Sequence, residues 1–234
     1  MIWAFCGKIG GVGKSMAAAA CVERLAGLGA EFAVVEADVN NNVGSYSDGV
    51  AKKVWEVSLL ANSGWLDLAS ALAAETAPEI VLSLPAGSDT AGHAAILRDV
   101  LADTNRQMAL IWMMNRTPES VALLGLAMKA FAQTPVRLVA ARNLFFGEPA
   151  KFKLWNGSET KKAFGKAGGI EVDFPELDDN VVEATFGAQP KVRFSASTGL
   201  DYGHRWALGR WLEQTAAVYG EIAEKIKPGE PVNA

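Results

Sequence analysis

The stretch Gly7-Lys8-Ile9-Gly10-Gly11-Val12-Gly13-Lys14-Ser15 carries the most legible chemistry in the chain. Glycines let backbone N–H groups turn inward around an anion, where side chains would block the approach. An apolar run precedes this stretch and an alanine-rich helical pattern follows it. The loop therefore opens onto a helix N-terminus, whose partial positive charge favours the same anion. Lys14 would reach the terminal phosphates of a nucleotide, and the Ser15 hydroxyl would take a place on Mg2+. The strict pattern asks for glycine where this chain has Lys8, so the loop is a variant. A glycine-rich turn without a ligand is the alternative, and the strand–loop–helix context argues against it.

Other reactive side chains are scattered. Cys6 ends an apolar run and Cys21 falls mid-helix, where cysteines act as small apolar fillers. His93 and His204 have no acidic or nucleophilic partner at a telling spacing and read as surface or helix-cap residues. Trp3 and Trp112 lie in expected strands, and Trp206 and Trp211 in the last helix. Trp55, Trp65 and Trp155 are expected in the core, with a partner surface as the alternative. The aromatic segment from Asn143 to Gly157, with Lys151, Lys153, Lys161 and Lys162 nearby, suits a lid over a base or a partner-binding loop. It also suits contact with nucleic acid, through stacking and phosphate pairing.

The elements that must position the loop alternate between two kinds. Apolar runs at Ile2–Cys6, Glu31–Ala37, Glu79–Leu84, Met108–Met114, Val136–Ala141 and Gly169–Val172 read as strands covered on both faces. Helical patterns fall at Lys14–Leu28, Trp65–Glu75, Thr90–Asp103, Pro118–Ala132, Ser158–Lys166 and Leu177–Phe186, with a last helix from beyond Thr198 to near Lys227. In that last helix Leu208, Trp211, Leu212, Thr215, Tyr219, Ile222 and Ile226 make one apolar stripe. The pattern predicts an α/β fold with a doubly wound, mainly parallel sheet and helices on both faces. It also predicts a single domain over 1–227 and a flexible tail at 228–234.

Composition bounds the function class. In 234 residues, half are apolar, and 22 basic side chains against 26 acidic ones leave a net charge of −4. That balance argues against a protein that coats nucleic acid, though a local basic patch is compatible with it. Two cysteines and two histidines exclude a zinc array or a disulfide scaffold. No run approaches the length of a membrane span, and the first residues lack the basic start of a signal peptide. A cytoplasmic protein is expected.

Gly-Gly-Val-Gly-Lys-Ser with a lysine just upstream resembles the deviant phosphate loop of the ParA/MinD ATPases, which are P-loop NTPases. Val34-Val35-Glu36-Ala37-Asp38 falls where that family has an Asp-x-Asp element, with Glu36 in place of the first aspartate and its charge one methylene further out. Ser83-Leu84-Pro85-Ala86-Gly87 resembles its Asp-x-Pro-Ala-Gly segment, and Asn115 to Val121 the strand-to-helix turn that follows. The resemblance implies that Gly10, Gly11, Val12, Gly13, Lys14, Ser15 and Met16 hold the phosphates of ATP. It implies that Asp38 orients the attacking water and that Asn143 contacts adenine. Ser15 would bind Mg2+ directly, with Asp38 and Ser83 reaching it through water.

Two further departures from the family bear on the chemistry. The family's signature lysine, which crosses to a partner's nucleotide, lies where this chain has Ile9, so Lys8 would act from a shifted register. The acid that ends the family's metal-binding strand is Ser83, which brings no charge and weakens Mg2+ binding. Nucleotide binding is thus the safer expectation than fast hydrolysis. The resemblance implies an ATP-dependent homodimer acting as a positioning or partition switch, or in conjugation, with slow turnover that a protein partner stimulates. It also implies nonspecific DNA as a track, to which Arg193, Arg205 and Arg210 would contribute. The segment from Lys227 onward is short, acidic and proline-broken, unlike the membrane-targeting helix of MinD. An ATP-dependent ligase of the dethiobiotin-synthetase kind and a nucleotide-binding adaptor with little turnover are the alternatives.

Overall fold

The computed structural model describes residues 1–7, 9–38, 43–60, 63–187 and 192–226. Among the described residues seven strands make one sheet: β1 (Ile2–Cys6), β2 (Phe32–Glu36), β3 (Lys53–Glu56), β4 (Glu79–Ser83), β5 (Met108–Met114), β6 (Val136–Asn143) and β7 (Ile170–Phe174). All pairings are parallel, in the order β3-β2-β4-β1-β5-β6-β7. Parallel neighbours need crossovers, and helices supply them. These are α1 (Lys14–Gly27), α2 (Gly64–Ala74), α3 (Ala94–Asp103), α4 (Pro118–Ala130), α5 (Lys153–Asn156) and α6 (Glu159–Lys166). After β7 come α7 (Asp179–Thr185) and the long α8 (Tyr202–Lys225).

The strand residues divide by parity between two cores, as a pleated strand requires. Trp3 and Phe5 of β1 pack with α1 and α8, whereas Ile2, Ala4 and Cys6 face the layer that contains α2, α3 and α4. Burial on both faces is why these strands are apolar throughout. The alanines of α1 let α8 approach closely. The Tyr219 hydroxyl donates to the Ala17 carbonyl at 2.5 Å, and the tyrosine ring meets Trp3 and Phe5 edge-on. The stripe read along the last helix is the face that α8 buries: Leu208, Trp211, Thr215, Tyr219 and Ile222.

Three expectations are corrected. β3 was not expected, because Lys53-Val54-Trp55-Glu56 is not an apolar run. It is the sheet's edge, mostly exposed, with the Lys53 ammonium 3.2 Å from the centre of the Trp55 ring. α3 begins at Ala94 and not at Thr90, because the Asp89 carboxylate accepts the Gly92 amide and folds that stretch into turns. β6 runs on to Asn143 and β7 to Phe174. The expected tail at 228–234 lies outside the described residues. Among the described residues no helix is long and apolar enough to cross a membrane.

Candidate functional site

The chain winds from β1 out to β2 and β3, returns through β4 beside β1, and continues to β5, β6 and β7 on the other side. In such sheets ligands bind beyond the carboxyl ends of the strands, where the winding reverses. The glycine loop stands there, between the end of β1 and the start of α1.

Three features show how the loop is built. Gly13 has φ of 92°, a left-handed conformation that glycine tolerates, and a Cβ there would lie 2.6 Å from Asn143 Nδ2. Beside Gly10 and Gly11 there is open space on the cleft side, with no atom within 4 Å of a Cβ position. The first turn of α1 has neither a side-chain cap nor an acidic residue. Its leading amides are therefore left for an anion.

Gly10, Gly11, Gly13, Lys14, Ser15 and Met16 line one side of a cleft of about 510 Å³. Asp38, Leu60, Pro85, Ala86 and Phe186 line the rest. Lys14 is buried, and its ammonium donates to the Ile9 carbonyl at a long 3.4 Å. Burial pushes its pKa below the ordinary lysine value, while the nearby Asp38 and Cys6 pull it back up. A desolvated cation facing open amides and one carboxylate is the chemistry of a site made to receive several negative charges.

Most expected site residues meet in this cleft, but not all. Val12 is turned inward, with its side chain buried and its carbonyl accepting from Asn143 at 3.0 Å. Ile9 packs its side chain against the core and does not line the cleft. Asn143 lies behind the loop. Its amide braces Val12 and its oxygen accepts the Phe145 amide at 3.1 Å, so both ends of the side chain are already used within the protein. Ser83 is buried and does not line the cleft; it stands opposite Glu36 on the neighbouring strand. Lys8 lies outside the described residues.

A second cleft, of about 600 Å³, opens past the ends of β6 and β7, where Gly147, Glu148, Pro149, Pro175 and Glu176 line it. A hollow of about 460 Å³ between the ends of α4 and α6, beside Phe131, Arg137, Phe164 and Lys166, sits at the opposite end of the sheet. It holds none of the site residues.

The residues fit Mg2+ carried on a phosphate better than a metal held by protein alone. Among the described residues no group of three or more His, Cys, Asp or Glu side chains could hold a metal. Ser15 and Asp38 nevertheless present oxygens to one cleft, the sparse donor set typical of Mg2+ bound with phosphates.

The other tempting residues are accounted for locally. Cys6 and Cys21 are buried free thiols, and burial pushes both up out of the reactive range. His93 precedes α3 and stacks on Trp65 at 4.5 Å, and His204 pairs with Asp201 at 3.2 Å. In the aromatic segment Phe152 and Trp155 are fully buried, so neither ring can stack on a base. Arg193 pairs with Glu23, Arg205 donates to the Leu200 carbonyl, and Arg210 pairs with Glu213. Leu60 and Phe186 line the cleft with no signal in the sequence to mark them.

The chain is similar to one curated protein in sequence and to solved structures in fold. No family model matches the chain. The protein MobD of Acidithiobacillus ferrooxidans is 28% identical over 216 residues, covering 91% of this chain and 93% of MobD. A ParA family ATPase from Chlorobium tepidum superposes with a TM-score of 0.55 at 11% identity, over 91% of this chain and 97% of that one. A plasmid partition protein from Borrelia burgdorferi matches more loosely, with a TM-score of 0.49 at 12% identity, over 95% of this chain and 98% of that one. By sequence the chain is similar to MobD, and by fold it is of the ParA-family ATPase type.

Proposed function

We propose that this chain binds ATP with Mg2+ in the loop cleft and hydrolyses it slowly, as a nucleotide-dependent switch. The observation that carries the reading is the buried Lys14 ammonium, at an uncapped helix start lined by open glycines and set across from Asp38. The amides of Gly10 to Ser15 would hold the β-phosphate, and Lys14 would neutralise the charge that develops on the terminal group. Asp38 would orient the attacking water. Mg2+, held by Ser15 and reached through water by Asp38, would supply charge neutralisation of the phosphate oxygens. The likeness to a ParA family ATPase in fold, and to MobD in sequence, supports the same reading.

The base would extend past the loop toward the second cleft, between the ends of β6 and β7. Asn143 would then serve the site by bracing the loop from behind. Two chains would close over the nucleotide as a homodimer, and a protein partner would stimulate turnover, in plasmid or chromosome positioning or in conjugation. Nonspecific DNA would find its surface at the start of α8, where Arg205 is flanked by the exposed rings of Tyr202 and Trp206. Arg193 would contribute little, since it is tied to Glu23.

One observation favours an adaptor with little turnover as the second reading. Ser83 brings no charge, and it is buried opposite Glu36. Titration with a fluorescent ATP analogue, with and without Mg2+, tests binding, and Lys14→Ala should abolish it. Light scattering with and without ATP tests dimerisation, and phosphate release with and without DNA separates switch from adaptor. Unchanged binding by Lys14→Ala would sink the assignment.

A further inference from the structure

Glu36 on β2 and Ser83 on β4 both depart from the family pattern, and they form one structural unit. Parallel register sets the two residues opposite each other on neighbouring strands. The Ser83 hydroxyl lies close enough to the Glu36 carboxylate to favour its charged form. Two backbone amides grip the same group: Asp38 donates to Oε1 at 3.2 Å and Val43 to Oε2 at 2.8 Å. Glu36 is 8% exposed and Ser83 only 1%. A carboxylate this deep is costly unless several donors hold it, and here the hydrogen bonds that hold it come from neutral groups. Those donors tie the chain on both sides of residues 39–42 and fix the backbone of Asp38, whose side chain lines the phosphate cleft.

We propose that Glu36 is a positioning residue that sets Asp38 against the phosphate cleft, and that Ser83 is the matched partner this arrangement requires. An acid at 83 would place a second carboxylate against Glu36, where burial makes like charges repel strongly. An aspartate at 36 would be one carbon short of the amides that Glu36 now reaches. The two departures are thus matched: β2 keeps its acid on a side chain one carbon longer, and β4 gives up its own. The catalytic side of this proposal rests on the nucleotide reading above.

The test compares nucleotide affinity and single-turnover hydrolysis in the wild type, Glu36→Gln, Asp38→Asn and their double variant. Glu36→Gln should keep affinity within about threefold and slow hydrolysis about tenfold or more. In the double variant it should add nothing to Asp38→Asn, because both act through one group. Amide hydrogen exchange on the ligand-free chain should show lost protection at Asp38 and Val43 in Glu36→Gln, and a smaller loss in Ser83→Ala should Glu36→Gln fail to fold. Ser83→Asp should lower the melting temperature, and adding Glu36→Gln should recover most of the loss.

Wild-type hydrolysis in Glu36→Gln, or effects that multiply in the double variant, would overturn the positioning role. So would a wild type that binds nucleotide without ever hydrolysing it. A Ser83→Asp variant as stable as wild type would overturn the pairing. A wild type that binds no nucleotide sinks the functional reading and the catalytic role with it. The exchange and melting measurements still decide the pairing.

Discussion

Asn143, the last residue of β6, donates its side-chain amide to the carbonyl of Val12, 131 positions earlier in the chain, at 3.0 Å. This bond fixes the glycine loop to the sheet from behind, so the loop's open amides can face the cleft without a ligand to shape them. The same amide nitrogen stands 2.6 Å from where a Cβ on Gly13 would be. Loop and brace therefore determine each other's geometry.

Asn143→Ala removes a buried side chain whose two polar ends hold Val12 and Phe145. The loss should cost about 1–3 kcal/mol of stability, since two backbone groups lose their partner. Nucleotide affinity should fall several-fold as the loop loosens. Urea denaturation and analogue titration measure the two effects, and a variant with wild-type affinity would show that the loop holds its shape without the brace.

Gly13→Ala should be worse for binding than for folding. A φ of 92° is strained for any residue with a Cβ, at about 1–2 kcal/mol, and the added carbon also collides with Asn143. The loop must shift, which moves the first amides of α1 off their common target. Binding should be lost while circular dichroism stays native. Combining Gly13→Ala with Asn143→Ala removes the collision but leaves the strained backbone, so affinity should not return.

The strands were legible because burial on both faces demands continuous apolar runs, and Ile2–Cys6 and Met108–Met114 match their expected limits. β3 was illegible because an edge strand meets solvent, and Lys53 and Glu56 look like loop residues. In the proposed site, glycine, lysine and serine are the residue types that an anion would call for, and so they stood out in the loop alone. Phe186 and Leu60 reach the cleft only through tertiary packing. Phe186 arrives by stacking on Tyr46 at 5.1 Å, which no local pattern encodes. Asn143 was singled out in the sequence, but its bond to Val12 depends on strand register and loop path together.

Tyr219→Phe tests how α8 supports the loop helix. The hydroxyl donates to the Ala17 carbonyl in the first turn of α1, and the residue is 1% exposed. Deleting one buried hydrogen bond should cost about 1 kcal/mol. The ring contacts with Trp3 and Phe5 remain, so the fold should persist. A loss within error in urea denaturation would mean that the hydroxyl adds nothing to ring packing.

Lys14 makes binding depend on pH in a direction that can be worked out. Burial lowers its pKa from the ordinary 10.5, so in the ligand-free chain the proton leaves at lower pH than from an exposed lysine. Only the charged form pairs with phosphate. Affinity should therefore fall as pH rises through the lowered value, and binding below lysine's ordinary range should take up a proton. Calorimetry in buffers of different ionisation enthalpy, over about pH 8 to 10, measures that uptake. The terminal phosphate titrates well below this window and does not interfere. Lys14's own contribution to the stability of the ligand-free chain should move the opposite way. It is read as the difference between wild type and Lys14→Met, because the buried Cys6 and Cys21 thiols make stability fall as pH rises. The unfolded chain keeps its lysine proton longer than the folded one, so folding is favoured as pH rises through the same range. Binding without proton uptake, together with a stability difference between wild type and Lys14→Met that does not change with pH, would mean that Lys14 is solvated like any surface lysine.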